Sequence, residues 1–126
     1  GLEFAIGQCQ REAALLDDDG YIVREKVRHE MTFGADGYPT LEQISRRLHM
    51  TSRTLRRRLD EEGTNYKALL EEAKRRDAIQ LLDDNNLEVQ RVAGLLGYQD
   101  PANFTRAFRQ WTGQTPSQYR DAHNRN

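Results

Sequence analysis

The sequence predicts an all-α fold: two similar helical units joined by one long helix, with extra N-terminal helices in front of them. Three observations predict it. Apolar residues recur at spacings of three and four along most of the chain, and no stretch makes a convincing strand. Capping patterns stand where those runs begin, and Gly, Asp or Asn clusters stand where they end. Residues 41–69 also match residues 89–119 position by position, with two small insertions.

Leu2, Ile6, Cys9, Ala13 and Leu16 form a two-heptad apolar seam on the first expected helix, which "DDDG" at 17–20 ends. A second helix is expected from about Tyr21 to Phe33, with Asp19 as N-cap and Val23, Val27 and Met31 on one face. Gly34 and "GADGYP" break it. Thr40 and Gln43 then make a Thr-x-x-Gln capping box for a short helix whose inner face is Leu41, Ile44 and Leu48. "HMT" turns the chain, and Thr51 or Ser52 caps a helix that stops at Gly63. Asn65 caps a long helix to about Leu82, in which Asp77 interrupts the apolar stripe. A short helix from Val89 to Leu96, a turn at Gly97, a helix opened by Asp100-Pro101 and a last helix from Pro116 to His123 complete the chain. The expected organisation is an N-terminal extension, 1–39, and a main domain, 40–126. The main domain divides into a first unit (40–63), a linker helix (65–82), a second unit (88–113) and a terminal helix (116–123).

Composition bounds the function. Hydrophobic residues at 37% against charged residues at 31% suit one helix-rich domain, or two small ones. No apolar stretch approaches the ~18–20 residues of a membrane span, and no signal peptide is visible. Cys9 is alone, which excludes a disulfide framework and a zinc cluster and suits a reducing compartment. His29, His49 and His123 lack metal-ligand spacing, and Ser45, Ser52 and Ser117 lack any nucleophile motif. Neither a metal, a cofactor nor an enzyme activity is expected. The chain does not begin with Met, so it is expected to be a processed or recombinant piece.

The formal net charge of -1 hides an asymmetry. Residues 1–39 carry four Lys/Arg against eight Asp/Glu, and residues 40–126 carry fifteen against twelve. Within the second part, "TSRTLRRRL" at 51–59 concentrates four arginines beside Leu55 and Leu59. The repeat explains them. Ile44, Ser45 and Leu48 match Val92, Ala93 and Leu96; Leu55, Arg57 and Leu59 match Phe104, Arg106 and Phe108; Gly63 and Leu69 match Gly113 and Tyr119. Each half is a short helix, a tight turn and a second helix, with a small residue where two helices approach closely: a helix-turn-helix, present twice.

In such a unit the first helix braces the second, whose outer face enters the DNA major groove. Leu55 and Leu59 anchor the first reader inward, which leaves Arg53, Arg56 and Arg57 outward at i, i+3 and i+4. A guanidinium can bond guanine O6 and N7 together, a pairing that discriminates by about 1–3 kcal/mol. In the second reader Phe104 and Phe108 point inward and Ala102, Asn103, Thr105 and Arg106 point outward, where Asn suits adenine and Arg guanine. Arg46, Arg47, Ser52 and Arg58 are the phosphate candidates, together with the helix N-termini. A linker of about 18 residues is roughly 27 Å long, of the order of the ~34 Å between successive major-groove faces. Trp111 and the two Phe are expected in the core, while Arg75 and Arg76 face water or phosphate.

Residues 40–120 resemble the DNA-binding domain of the AraC/XylS family of bacterial transcription regulators. "LEQISRRLHMTSRTLRRRL" and "EVQRVAGLLGYQDPANFTRAFRQWTGQTPSQYR" carry the resemblance, the second stretch most of all. The sequence departs from the family pattern at His49, where Gly is usual, and at Pro101 and Ala102, which replace polar residues. The resemblance implies a cytoplasmic, nucleoid-associated bacterial regulator, an activator that presents a surface to RNA polymerase. It also implies the branch with a preceding effector and dimerisation domain. Residues 1–39 would then be connecting helices, and the piece would be a monomer or weak dimer where the full-length protein is a dimer. The runner-up within the family is a naturally short regulator. The seam at 2–16 serves either intramolecular packing or a coiled coil. The alternative to a DNA reader is a helical protein-interaction module whose arginines meet an acidic partner.

Overall fold

The structure, a computed structural model, describes residues 22–34 and 37–124. Seven helices follow one another: α1 Val23–Glu30, α2 Leu41–Arg47, α3 Ser52–Glu61, α4 Tyr66–Leu82, α5 Val89–Leu95, α6 Pro101–Thr112 and α7 Pro116–Asn124. An isolated antiparallel bridge between Gly34 and Gly37 closes the expected break. The apolar seam at 2–16, the "DDDG" stop and Asp19 lie outside the described residues. The chain divides into two compact units: the first ends with Leu70 inside α4, and the second takes over at Glu71 and also includes the segment Phe33–Gly37.

In the first unit, α1 is shorter than periodicity predicts. Its N-cap is Ile22, whose side chain makes no capping bond, and it stops at Met31, which leaves the helical region at ψ 73°. The open amides at its start are satisfied from elsewhere in the chain, which no local pattern reveals. Helix α2 begins with the expected box: Gln43 N–H donates to Thr40 Oγ1 at 3.1 Å, and Thr40 N–H to Gln43 Oε1 at 2.9 Å. Leu41, Ile44 and Ser45 are buried along it, while Leu48 is only half-buried. Thr51, not Ser52, caps α3 through the Thr54 amide, at 3.1 Å. Val23, Val27, Met31, Ile44, Leu55 and Leu59 are all fully enclosed, with α1 and α2 both packed against α3.

The Asn65 carboxamide caps α4 through the Ala68 amide at 2.8 Å. Asp77 does not break the buried stripe of this helix but lies on it, 7% exposed, beside Ala73 and Ala78. A carboxylate tolerates such a place only when paired. The Arg76 guanidinium bonds both of its oxygens, at 3.0 and 3.1 Å.

The second unit is built around aromatics. Phe104 and Phe108 are completely buried, and Phe108 meets Trp111 and Tyr119 edge to face with centroids 6.1 and 5.4 Å apart. Asp100 caps α6 through the Ala102 amide, with Pro101 at the first helical position as expected. Thr115 and Gln118 form a second capping box at the start of α7, by bonds of 3.0 and 3.1 Å. Arg120 then donates to the Leu82 and Asp84 carbonyls, satisfying backbone acceptors at the end of α4.

Candidate nucleic-acid interface

The two helix-turn-helix turns share one backbone device. At the end of α2, His49 adopts φ 60°, its N–H donates to Arg46 O at 3.1 Å, and Met50 N–H donates to Ser45 O at 3.0 Å. At the end of α5, Gly97 adopts φ 95°, donates to Gly94 O at 3.1 Å, and Tyr98 N–H donates to Ala93 O at 3.0 Å. Both are helix stops of the Schellman type, in which a left-handed residue lets the next amide reach back to an orphan carbonyl. The acceptors are the small residues Ser45 and Ala93, both buried. Local sequence thus re-aims the chain in the same manner twice and delivers a second helix each time.

On α3, Leu55 and Leu59 are fully buried, and Arg53, Arg56 and Arg57 are exposed. The three guanidinium-bearing positions therefore share the outer face. Arg57 lies 3.8 Å from Glu61, a pairing of two exposed groups that costs little to exchange for another anion. Beside them is an open hollow of about 430 Å³ lined by Arg56, Arg57, Asp60, Thr64, Asn65 and Tyr66. The Tyr66 phenol donates to Pro39 O at 2.6 Å, and burial, then the charge of Glu42, raises its pKa above the ordinary tyrosine value. It stays a neutral donor there.

The four phosphate candidates are not alike. Arg46 and Arg47 are exposed at the end of α2, where Arg47 pairs with Glu30 at 3.2 Å. Arg58 is half-buried. Ser52 is half-buried too, its hydroxyl 3.3 Å from that of Ser45, so its side chain is turned toward α2.

On α6, Ala102, Asn103 and Arg106 are exposed and Thr105 is half-buried, opposite the enclosed Phe104 and Phe108. The Arg106 guanidinium donates to the Asn103 carboxamide oxygen, so these two side chains act as a pair. Trp111, expected in the core, is half-buried and donates its indole N–H to Glu71 at 2.9 Å. Tyr98 packs on Phe104 under the Lys74 ammonium, 4.8 Å above its ring. Burial, then the Glu71 charge, pushes the Tyr98 phenol up to about 12.

Sequence reasoning missed Glu62, whose carboxylate accepts the Val23 and Arg24 amides at 3.0 and 2.8 Å. These contacts span 39 and 38 residues, and no spacing rule reaches that far. Among the described residues no group of three His, Cys, Asp or Glu could hold a metal ion, and no helix is long and apolar enough to cross a membrane.

A family profile described as a helix-turn-helix domain matches residues 44–122. The ornithine utilization regulator of Pseudomonas aeruginosa is 42% identical over 116 residues, which is 91% of this chain and 34% of that protein. The chain thus spans about a third of the length of this curated relative. A DNA-binding transcriptional dual regulator from Escherichia coli K-12 superposes with a TM-score of 0.74 at 29% identity, over 82% of this chain and 94% of that one. The DNA-binding domain of AdpA, solved in complex with a target DNA, does so with a TM-score of 0.61 at 26% identity, over 80% of this chain and 87% of that one. With two matched turns, two outward-facing helices and a profile covering most of both units, this chain belongs to the AraC family of helix-turn-helix transcription regulators, and residues 44–122 are its helix-turn-helix domain.

Proposed function

We propose that the chain is a sequence-specific reader of duplex DNA that lays α3 and α6 into two adjacent major-groove segments. The observation that carries this is the recurrence of one arrangement. In each unit a left-handed turn presents a helix with two fully buried anchors and an outer face bearing exposed guanidinium groups. Arg53, Arg56 and Arg57 read bases from α3; Ala102, Asn103, Thr105 and Arg106 do so from α6. Because Arg106 is bonded to Asn103, the pair reads guanine with Arg106 as the fork and Asn103 as its support. Arg46, Arg47 and Arg58 contact phosphates, and Ser52 contributes its backbone N–H at the start of α3, since its hydroxyl is turned to Ser45. Helix α4, 17 residues and so about 26 Å long, is of the length that joins readers one helical turn apart.

Residues 1–39 act as an extension and residues 40–126 as the DNA-binding part of a longer bacterial regulator working in the cytoplasm on the nucleoid. That regulator is a dimer, activates transcription through contact with RNA polymerase, and answers a small molecule through its effector domain. Kinship with regulators about three times as long supports this assignment.

Selection from a random duplex pool, followed by footprinting, tests the reading. A preferred site about two helical turns long is expected, with affinity falling steeply as salt rises. Arg56→Ala or Arg57→Ala should each lose about 1–3 kcal/mol of discrimination at one base pair, whereas Arg46→Ala should weaken all duplexes alike and lower the salt slope by about 1. Equal, weak retention of every duplex with no protected footprint would overturn the proposal in favour of an acidic protein partner.

A further inference from the structure

Helix α1 precedes the first helix-turn-helix in sequence, yet its bonds fasten it to the far end of the reader. Glu62 is the C-cap residue of α3. Its Oε2 accepts the Val23 N–H at 3.0 Å and its Oε1 the Arg24 N–H at 2.8 Å, while Arg24 Nη1 donates back to Glu62 O at 3.4 Å. Ile22, the N-cap of α1, makes no capping bond of its own. A carboxylate is the group a helix start favours, because it answers both the orphan amides and the positive end of the dipole. At its other end α1 is tied to α2 by the pair Glu30–Arg47, 3.2 Å apart.

We propose that Glu62 is a positioning residue for base reading: through its grip on α1 it fixes the tilt of α3, and so the placement of Arg53, Arg56 and Arg57. This rests on the reading of α3 as a DNA reader. The start of α3 is set by the turn, by the Thr51 cap and by the Ser45–Ser52 contact. Its end is held by the packing of Leu55 and Leu59, which is not directional, and by the Glu62 bonds, which are. Arg57 lies six residues beyond Thr51, about 9 Å along the axis. A tilt of about 10° about the turn would move it by roughly 1.5 Å, whereas productive recognition geometry tolerates about 0.5 Å. Glu62 itself is half-buried against α1 and reads no base. Anything that pulls α1 from this latch would loosen the first reader and leave the second as it is.

The experiment measures base preference position by position, by competition among single-substituted duplex sites, for the wild-type chain, Glu62→Ala and Glu62→Gln. Gln keeps one of the two acceptor oxygens and serves as the variant least disturbing to the fold, with circular dichroism confirming helix content at the binding temperature. In Glu62→Ala, preference at the base pairs under α3 should fall by about three- to tenfold, part of the discrimination a bidentate contact supplies. Glu62→Gln should fall in between. Preference under α6, affinity for unrelated duplex and the salt slope should not move, which a general loss of stability would not produce. Folded variants with an unchanged profile, or with equal losses under both readers, would overturn the positioning role. A wild-type chain with no preference anywhere would instead sink the DNA reading, and this inference with it.

Discussion

The matched turns allow one strain to be measured against its own control. His49 occupies φ 60°, a conformation that L-residues avoid, at the position where the second unit has Gly97 at φ 95°. The His49 side chain is exposed, so replacing it removes little packing. A left-handed backbone costs an L-residue about 1–2 kcal/mol, while Gly gives the unfolded chain about 0.4–1 kcal/mol of extra freedom. His49→Gly should therefore stabilise the first unit by roughly 0.5–1 kcal/mol, or several degrees in Tm. The converse change, Gly97→Ala, meets no heavy atom within 4 Å of the new Cβ, so its cost is backbone strain alone. It should destabilise the second unit by about 1 kcal/mol. Denaturant unfolding of the three chains, with the slope m checked for constancy, supplies the comparison. A neutral or destabilising His49→Gly beside a Gly97→Ala that behaves as described would refute the strain argument, and would mean that the imidazole contributes a compensating interaction of its own.

Two further outcomes follow from the second unit. Tyr98 has a folded pKa raised to about 12 by burial and then by Glu71, so the unfolded chain loses this proton first. The stabilising contribution is complete below about pH 10 and is lost as pH rises toward 12; a Tyr98→Phe chain followed by circular dichroism should show a flatter alkaline limb than the wild type. Phe108→Ala removes the ring that Phe104, Trp111 and Tyr119 all pack against, at centroid distances of 5.8, 6.1 and 5.4 Å. A loss of about 3–5 kcal/mol should unfold the second unit, and footprinting should then show protection of the α3 half-site alone; intact protection of both halves would count against α6 as a reader.

Legibility followed the range of the interactions. Caps at Thr40, Asn65 and Asp100 involve neighbours within three residues, and each formed as its pattern predicts. The Thr115–Gln118 box repeats the Thr-x-x-Gln signature of α2 and was equally readable. The outward and inward faces of α3 and α6 also follow from helical period alone. Asp77 shows the limit, because periodicity counts a carboxylate as an interruption, whereas a neighbouring guanidinium lets it stay in the stripe. The position of α1 was beyond reach for the same kind of reason: its N-terminal partner is 39 residues away.

The mismatch between the two halves nevertheless carries the explanation for α1. The second unit buries Phe104 and Phe108 and packs the half-buried rings of Trp111, Tyr98 and Tyr119 against them. An aromatic side chain buries about 150–250 Å². The first unit has Leu55 and Leu59 at the corresponding positions, and Glu62, just before Gly63, where the repeat has Thr112, just before Gly113. Two aliphatic anchors fill less space than two phenyl rings, and Val23, Val27 and Met31 complete the core of the first unit. Glu62 provides the carboxylate that answers the open amides of α1. Hence the two units complete their cores differently: the second surrounds Phe104 and Phe108 with rings of its own, whereas the first adds the apolar face of α1, joined to the end of α3 through Glu62.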